Sequence, residues 1–266
     1  MGRKKNLKGI DESDLELINA KMNYNSDDRI QNFITPLKSF EYKIVIKCKN
    51  KKQKDFLNIL KDESKIICFG IGSGGSGNSY ISLAYALQAL KDESTPYKKI
   101  ICLVPTCQAG AMDLGFLKGT LEEKIGPFIE ADSYTMEKIL SNSGNYSGRQ
   151  LLEGLIRNEI INYDVVNFAR GKTYDNALIL LNECENYSKE EMLLLLTRIG
   201  ENSKIIISGD VEQLDRKDIK KNGSKCGMEY ALDKLKDMEE VAYVEFTTED
   251  IVRHPIISKI IDRWKK

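Results

Sequence analysis

A glycine-rich run, Gly70-Ile71-Gly72-Ser73-Gly74-Gly75-Ser76-Gly77-Asn78-Ser79, follows the apolar stretch Lys65–Phe69 and precedes a helical pattern. Glycines at this density let successive backbone N–H groups converge on an anion, and the helix start that follows adds partial positive charge. Gly72 to Ser79 has the spacing of the phosphate-binding pattern G-x-x-x-x-G-K-[ST], whose Lys reaches the outer phosphates and whose hydroxyl reaches magnesium. Asn78 stands in the Lys position, and Ser79 keeps the hydroxyl. The same run also reads as a βα turn that binds nothing; its placement between strand and helix favours the phosphate cradle.

Two more polar clusters close apolar runs. Leu178–Leu181 ends in Asn182-Glu183. A buried strand ending in Asp-Glu would supply a magnesium ligand and a group that orients water. Asn182 can hydrogen-bond a metal-bound water but lacks the charge a hard cation prefers. Glu183 taken alone is ordinary strand-end surface, and only its relation to the glycine loop raises it to a candidate. Lys204–Ser208 runs into Gly209-Asp210-Val211-Glu212-Gln213. Polar residues at the C-terminal ends of parallel strands are where α/β sheets hold ligands.

The elements that must position these groups are legible from hydrophobic spacing. Short apolar runs recur at Lys65–Phe69, Lys99–Val104, Leu178–Leu181, Lys204–Ser208 and Val241–Phe246, and Phe40–Lys47 alternates like a strand. Helical patterns fall at Lys51–Leu60, at Ser79–Leu90 and at Lys189–Ile199, the last opened by Ser188 with Glu191 three residues on, a capping box. Strands that are apolar throughout and alternate with helices predict an α/β fold, a mostly parallel sheet flanked by helices. Residues 1–39 carry mixed charge and read as an N-terminal arm, and residues 40–266 as one domain. Within it, residues 105–165 break the rhythm and read as a partly helical insertion with a soft loop at Ser141–Gly148.

Composition narrows the function classes. The chain has 266 residues, 40 Lys plus Arg against 40 Asp plus Glu, and 41% hydrophobic residues. Zero net charge argues against a polybasic nucleic-acid coat. No apolar run approaches the roughly 20 residues of a membrane helix, and Met1–Glu12 lacks a signal-peptide core, so the chain reads as cytoplasmic with no membrane partner. Cys48, Cys68, Cys102, Cys107, Cys184 and Cys226 form no C-x-x-C pair and read as reduced, buried thiols. His254 is the single histidine, which excludes a His-based zinc site and places any His-centred triad at that residue alone.

From about Asn50 to Trp264 the sequence resembles the PhoH-like P-loop ATPases, relatives of the superfamily 1 helicase core. The matching segments are QKDFL at 53–57, GSGGSGNS at 72–79, PTCQAGAMDLGFLKGTLEEKIGPF at 105–128, ARGKTYDNALILLNECEN at 169–186, LTRIGENSKIIISGDVEQLD at 196–215 and EDIVRHPIISKII at 249–261. The resemblance implies a P-loop NTPase fold of the RecA and helicase type, with ATP and Mg2+ as ligands. It also implies a homo-oligomeric, hexameric ring and action on RNA. Gln53 would read the adenine edge, and Gly72, Ser73, Gly74, Gly75, Ser76 and Gly77 would wrap the phosphates, beside Asn78. Ser79 and Asn182 would face the metal. Glu183 would polarise water, Asp210 and Gln213 would sense the γ-phosphate, and Arg253 would be the phosphate-sensing or trans-acting arginine, ahead of Arg198 and Arg170. His254 would be a structural neighbour of Arg253.

The family has Lys at position 78 and Asp at 182, and this chain has Asn at both. Losing a charge-assisted phosphate contact costs about 1.5–3 kcal/mol in binding, and more where charge develops in the transition state. The two changes cancel in formal charge, which points to a nucleotide-binding protein with a degenerate catalytic site. The alternatives are an ATPase that still works on RNA, with Lys172 or a neighbouring subunit's arginine substituting for the lost cation, and a nucleotide-free scaffold. The basic run Lys47–Lys54 is the feature that speaks for RNA, and equally reads as a solvated face.

Overall fold

Six apolar runs pair into one sheet, all in parallel: β1 (Ile67–Gly72), β2 (Lys99–Val104), β3 (Ile161–Val165), β4 (Ala177–Leu181), β5 (Lys204–Gly209) and β6 (Val241–Phe246), in the order β3-β2-β4-β5-β1-β6. This computed structural model describes residues 42–105, 121–141, 147–213 and 225–253, with 256, 260 and 263. The order places β1 beside β5 and one strand from β4. The three polar-ended runs of the sequence therefore open at one end of the sheet, the carboxyl ends of its parallel strands.

Alternation along each strand divides the core in two. Leu178 and Leu180 of β4, Cys68 of β1 and Ile206 of β5 pack on one face beneath α1 (Lys51–Lys61), α2 (Asn78–Ala89), α3 (Leu121–Leu140) and α4 (Gly148–Arg157). Ile179, Leu181, Phe69, Ile205 and Ile207 pack on the other beneath α5 (Lys189–Leu196) and α6 (Gly227–Leu235). Burial on both faces is why the interior strands β1, β2, β4 and β5 are near-continuously apolar. The expected capping box opens α5, with Ser188 and Glu191 exchanging bonds of 3.1 and 2.8 Å. Cys68, Cys102, Cys184 and Cys226 are buried free thiols and Cys48 is half-buried, while Cys107 lies outside the described residues. Among the described residues no helix is long and apolar enough to cross a membrane.

Two sequence expectations need correction. Phe40–Lys47 forms no strand in its described part: Tyr42 and Ile44 are buried, but against helix α2, with Tyr42 Oη donating to Leu87 O (3.2 Å) and Gln88 Nε2 donating to Ile44 O (2.8 Å). Alternation there reports one buried face, and the partner is a helix. Nor is the whole of 105–165 an insertion. Residues 161–165 form the edge strand β3, and α3 and α4 roof the same side of the sheet as α2. Asn162 and Asp164 interrupt the apolar run of β3 and hide it in the sequence. The arm at 1–39 and the stretch 106–120 lie outside the described residues.

The helix α1 is docked through Phe56. Gly70, in mid-β1, leaves room for that ring: a Cβ at Gly70 would sit 2.6 Å from Phe56 Cζ. Phe56 also meets Phe246 of β6 edge to face, centroids 5.8 Å apart. At the far end of α1, the buried Lys204 of β5 donates from Nζ to Leu60 O (2.5 Å) and Asp62 O (2.8 Å), which satisfies carbonyls at the helix terminus. Burial lowers the Lys204 pKa from its ordinary value. Lys204→Met, which keeps the apolar stem and removes the donor, should destabilise the fold by about 2–3 kcal/mol in urea denaturation. A change below half of that would mean the lysine does not hold α1.

Candidate functional site

At the C-terminal end of β1 the chain turns through the glycine loop into α2, whose N-cap, Gly77, has φ 86°, a left-handed conformation that favours glycine. The loop is held from three directions. From α1, Gln53 is placed one turn before Phe56 and donates from Nε2 to Ser76 O (2.7 Å), while its Oε1 accepts Lys49 N–H (2.7 Å). From β5, Asp210 Oδ2 accepts the N–H of Gly74 and the Nε2 of Gln213, both at 2.7 Å. From the segment after β6, Val252 N–H donates to Gly75 O (3.1 Å), and the Arg253 side chain crosses Gly75 so closely that a Cβ there would meet its Cδ at 3.0 Å.

These elements enclose a cleft of about 740 Å³ lined by Gln53, Gly72, Gly74, Gly75, Gly77, Asn78, Ser79, Glu183, Asp210, Gln213 and Arg253. Ser73 and Ser76 are buried within the loop itself. Most of the residues that the sequence singled out line this cleft or its loop; Asn182 does not line it, and its Nδ2 donates to Asp132 Oδ1 (2.8 Å). Arg198 and Lys172 sit elsewhere. Arg198 bonds the carbonyls of Leu194 and Lys172, and Lys172 pairs with Asp164 (3.0 Å). The exposed Arg170 does not line the cleft, and His254 lies outside the described residues.

Asn78 does none of what a loop lysine would do. Its Nδ2 donates to Gly70 O (3.1 Å) and its Oδ1 accepts Ser79 N–H (2.8 Å), so the side chain ties the start of the loop to its end. The described cations lining the cleft are Lys47, Lys49 and Arg253. Sequence reading placed the lysines in a solvated or RNA-facing run, and only the docking of α1 reveals that they reach the cleft.

The arrangement suits a phosphate chain. It offers loop N–H groups, a helix N-terminus and cations at the rim. For a magnesium ion the oxygen donors lining the cleft are Ser79, Glu183 and Asp210, a fitting set of hard ligands. No group of three or more His, Cys, Asp or Glu among the described residues could hold a metal unaided. Such an ion would therefore depend on the phosphates it accompanies.

Glu183 follows Asn182 just past the end of β4, with φ 53°, a left-handed conformation that turns the chain sharply and leaves the residue exposed at the cleft. The strain of that backbone is about 1–2 kcal/mol for a residue with a Cβ. Two residues on, Glu185 is buried, and sequence reading missed it. Its Oε2 accepts Asp210 N–H (2.9 Å) and its Oε1 accepts Asn186 Nδ2 (3.1 Å). Burial, then the Glu183 charge and a hydrogen bond to Glu183, push its carboxyl well above the ordinary range. Glu185 thus links the end of β4 to Asp210, and Asp210 links it to Gly74. The other missed carboxyl, Asp132, is raised to about 7 by burial and by Glu183, with the Asn182 bond pulling it down. No spacing signal marks it, since it is one acid on a mixed helix face.

A parallel sheet whose first strand runs through a glycine loop into a helix, with polar strand ends facing that loop, is the architecture of P-loop NTPases. The chain belongs to the PhoH-like family: the family model described as PhoH-like protein matches residues 45–265. The chain is 34% identical over 221 residues to a PhoH-like protein of Bacillus subtilis (strain 168), covering 83% of this chain and 64% of that one. It is 32% identical to a PhoH-like protein of Mycobacterium tuberculosis (strain ATCC 25618 / H37Rv), covering 83% and 58%. Against the protein PhoH of Escherichia coli (strain K12) the identity is 32%, covering 82% and 58%. The chain therefore spans about three fifths of the length of these relatives.

The raised Glu185 carboxyl fixes a sign. The folded chain keeps a proton that the unfolded chain loses above its ordinary value of 4.5, so this group's stabilisation falls as pH rises from there to the raised value. Glu185→Gln removes that dependence. Its stability relative to the parent should rise with pH across this window, by at most about 1.4 kcal/mol per pH unit. Parallel stability–pH curves for parent and variant would mean that Glu185 is ionised in the fold.

Proposed function

We propose that the chain binds ATP in the cleft between the glycine loop and the ends of β4 and β5, with hydrolysis weak or lost. Gly72–Gly77 and the α2 N-terminus hold the phosphates. Gln53 sits at the base end; its amide has one further bonding direction at each atom beyond those used on Lys49 and Ser76, enough to meet an adenine edge. Ser79 faces the magnesium, which when bound would neutralise phosphate charge and orient the outer phosphate. Glu183 holds and polarises a water by accepting a hydrogen bond from it, and Asp210 with Gln213 senses the outer phosphate. Arg253, over Gly75, supplies positive charge at the same end. The observation that carries the degenerate reading is Asn78, whose amide is engaged at both ends within the loop and offers no cation.

The chain spans only part of its relatives' length, so association with RNA and assembly into a ring rest on the resemblance. Lys47 and Lys49 at the cleft rim support a polyanion near the nucleotide. Sedimentation and the salt dependence of RNA affinity test the two directly.

Magnesium-dependent ATP hydrolysis by the chain should not exceed that of a Glu183→Gln control. Asn78→Lys should raise it by about two to three orders of magnitude, the usual worth of one well-placed transition-state donor. Turnover by the unmodified chain clearly above the Glu183→Gln control would overturn the degenerate reading.

A further inference from the structure

Three side chains lie over the glycine loop and divide it along its length. Gln53 reaches one end, where its Nε2 donates to Ser76 O (2.7 Å). Arg253 crosses Gly75. Gln213 lies on Gly74, where an added Cβ would collide with its Nε2. With Gln53 at the base end, the loop runs toward the outer phosphate in the order Gly77, Gly75, Gly74. At that last position the N–H is already taken, donating to Asp210 Oδ2 at 2.7 Å.

Asp210 is held firmly in that place. The residue is buried, its Oδ1 accepts Glu212 N–H (3.1 Å) and its Oδ2 also accepts Gln213 Nε2 (2.7 Å). Its own N–H donates to Glu185 Oε2 (2.9 Å). A backbone N–H is a single donor, so an arriving phosphate oxygen and this carboxylate compete for it. The two are also like charges at close range, with Glu183 lining the same cleft. A loop lysine would offset that repulsion, and Asn78 supplies no cation. Arg253 lies one residue nearer the base, over Gly75.

We infer that the cleft takes a nucleoside diphosphate in preference to a triphosphate, and that Asp210 sets the preference by occupying the loop position of the third phosphate. This inference rests on the nucleotide-binding reading and adds which nucleotide is held. A diphosphate has Gly75–Gly77, the α2 N-terminus and Arg253 to meet it, and leaves the bond between Gly74 and Asp210 intact. A triphosphate reaches Gly74 only once Asp210 and Gln213 are turned away, at the cost of their bonds. Asp210 thus senses the outer phosphate by yielding to it. The chain rests in the state that follows hydrolysis, in keeping with a site that has lost its loop lysine.

Calorimetry of ADP and ATP binding tests this, with magnesium chelated so that only the chain's own groups meet the phosphates. The proteins are the full chain, Asp210→Ala and Asp210→Asn. The full chain should bind ADP about tenfold more tightly than ATP, the worth of one charge-assisted hydrogen bond. Asp210→Ala frees Gly74 N–H and should close the gap by tightening ATP about tenfold, with ADP affinity unchanged. Asp210→Asn keeps an acceptor oxygen but drops the charge, and should close part of the gap. A full chain that binds ATP as tightly as ADP overturns the inference while the nucleotide reading stands. So does a gap that persists in both variants, or one that closes through weaker ADP binding. Should Asp210→Ala fail to fold, Asp210→Asn decides: a narrower gap supports the inference and an equal one overturns it. A chain that binds neither nucleotide overturns the nucleotide reading and this inference with it.

Discussion

The hydrogen bond from Gly74 N–H to Asp210 Oδ2 joins the glycine loop to the end of β5, and the rest of the site is arranged around that joint. Asp210 also accepts Gln213 Nε2 and Glu212 N–H through its two carboxylate oxygens, and its own N–H is held by Glu185. Three donors thus converge on one carboxylate and fix its orientation. The loop therefore already wraps one negative group, supplied by the protein, beside the place where a phosphate chain would lie. A change in what occupies the cleft must be felt at Gly74, and through Asp210 and Glu185 at Glu183, the group that faces water.

The sheet makes this joint possible. Parallel pairing places the ends of β1 and β5 side by side, with Gly70 opposite Ser208 and Ile71 opposite Gly209. Ser82 of α2 and Ser208 of β5 share a hydrogen bond of 3.0 Å beneath the loop. On the far side of β1, Phe246 receives Phe56, so α1 carries Gln53 to the loop with little freedom. Each support is a buried contact, and buried contacts fix geometry more narrowly than surface pairs do. A phosphate loop without its lysine depends on such bracing, because it has no charge of its own to draw the ligand into register.

Much of this was legible in the sequence because periodicity and glycine spacing report directly on backbone requirements. The five apolar runs became strands, and the loop, Glu183, Asp210, Gln213, Gln53 and Arg253 meet at one cleft. The illegible parts share a cause: their meaning depends on a neighbour distant in sequence. The β3 run is broken by Asn162 and Asp164, which have partners only once the edge of the sheet exists. Tyr42 and Ile44 alternate against a helix 45 residues away. Asp132 and Glu185 are acids in unremarkable contexts, and burial beside Asn182 and Asp210 gives them their roles. Asn78 was visible as a departure, but its two bonds across the loop were not.

The central claim is that a glycine loop lacking its lysine still receives phosphates in this cleft. Amide hydrogen exchange followed by mass spectrometry, with and without ATP, tests it most directly. Added ATP should slow exchange in the segment holding Gly72–Ser79 and in those holding Asp210–Gln213 and Val252-Arg253, the three sides of the loop, and leave α5 and α6 unchanged. No protection at Gly72–Ser79 under saturating ATP, or protection confined to other segments, would contradict it.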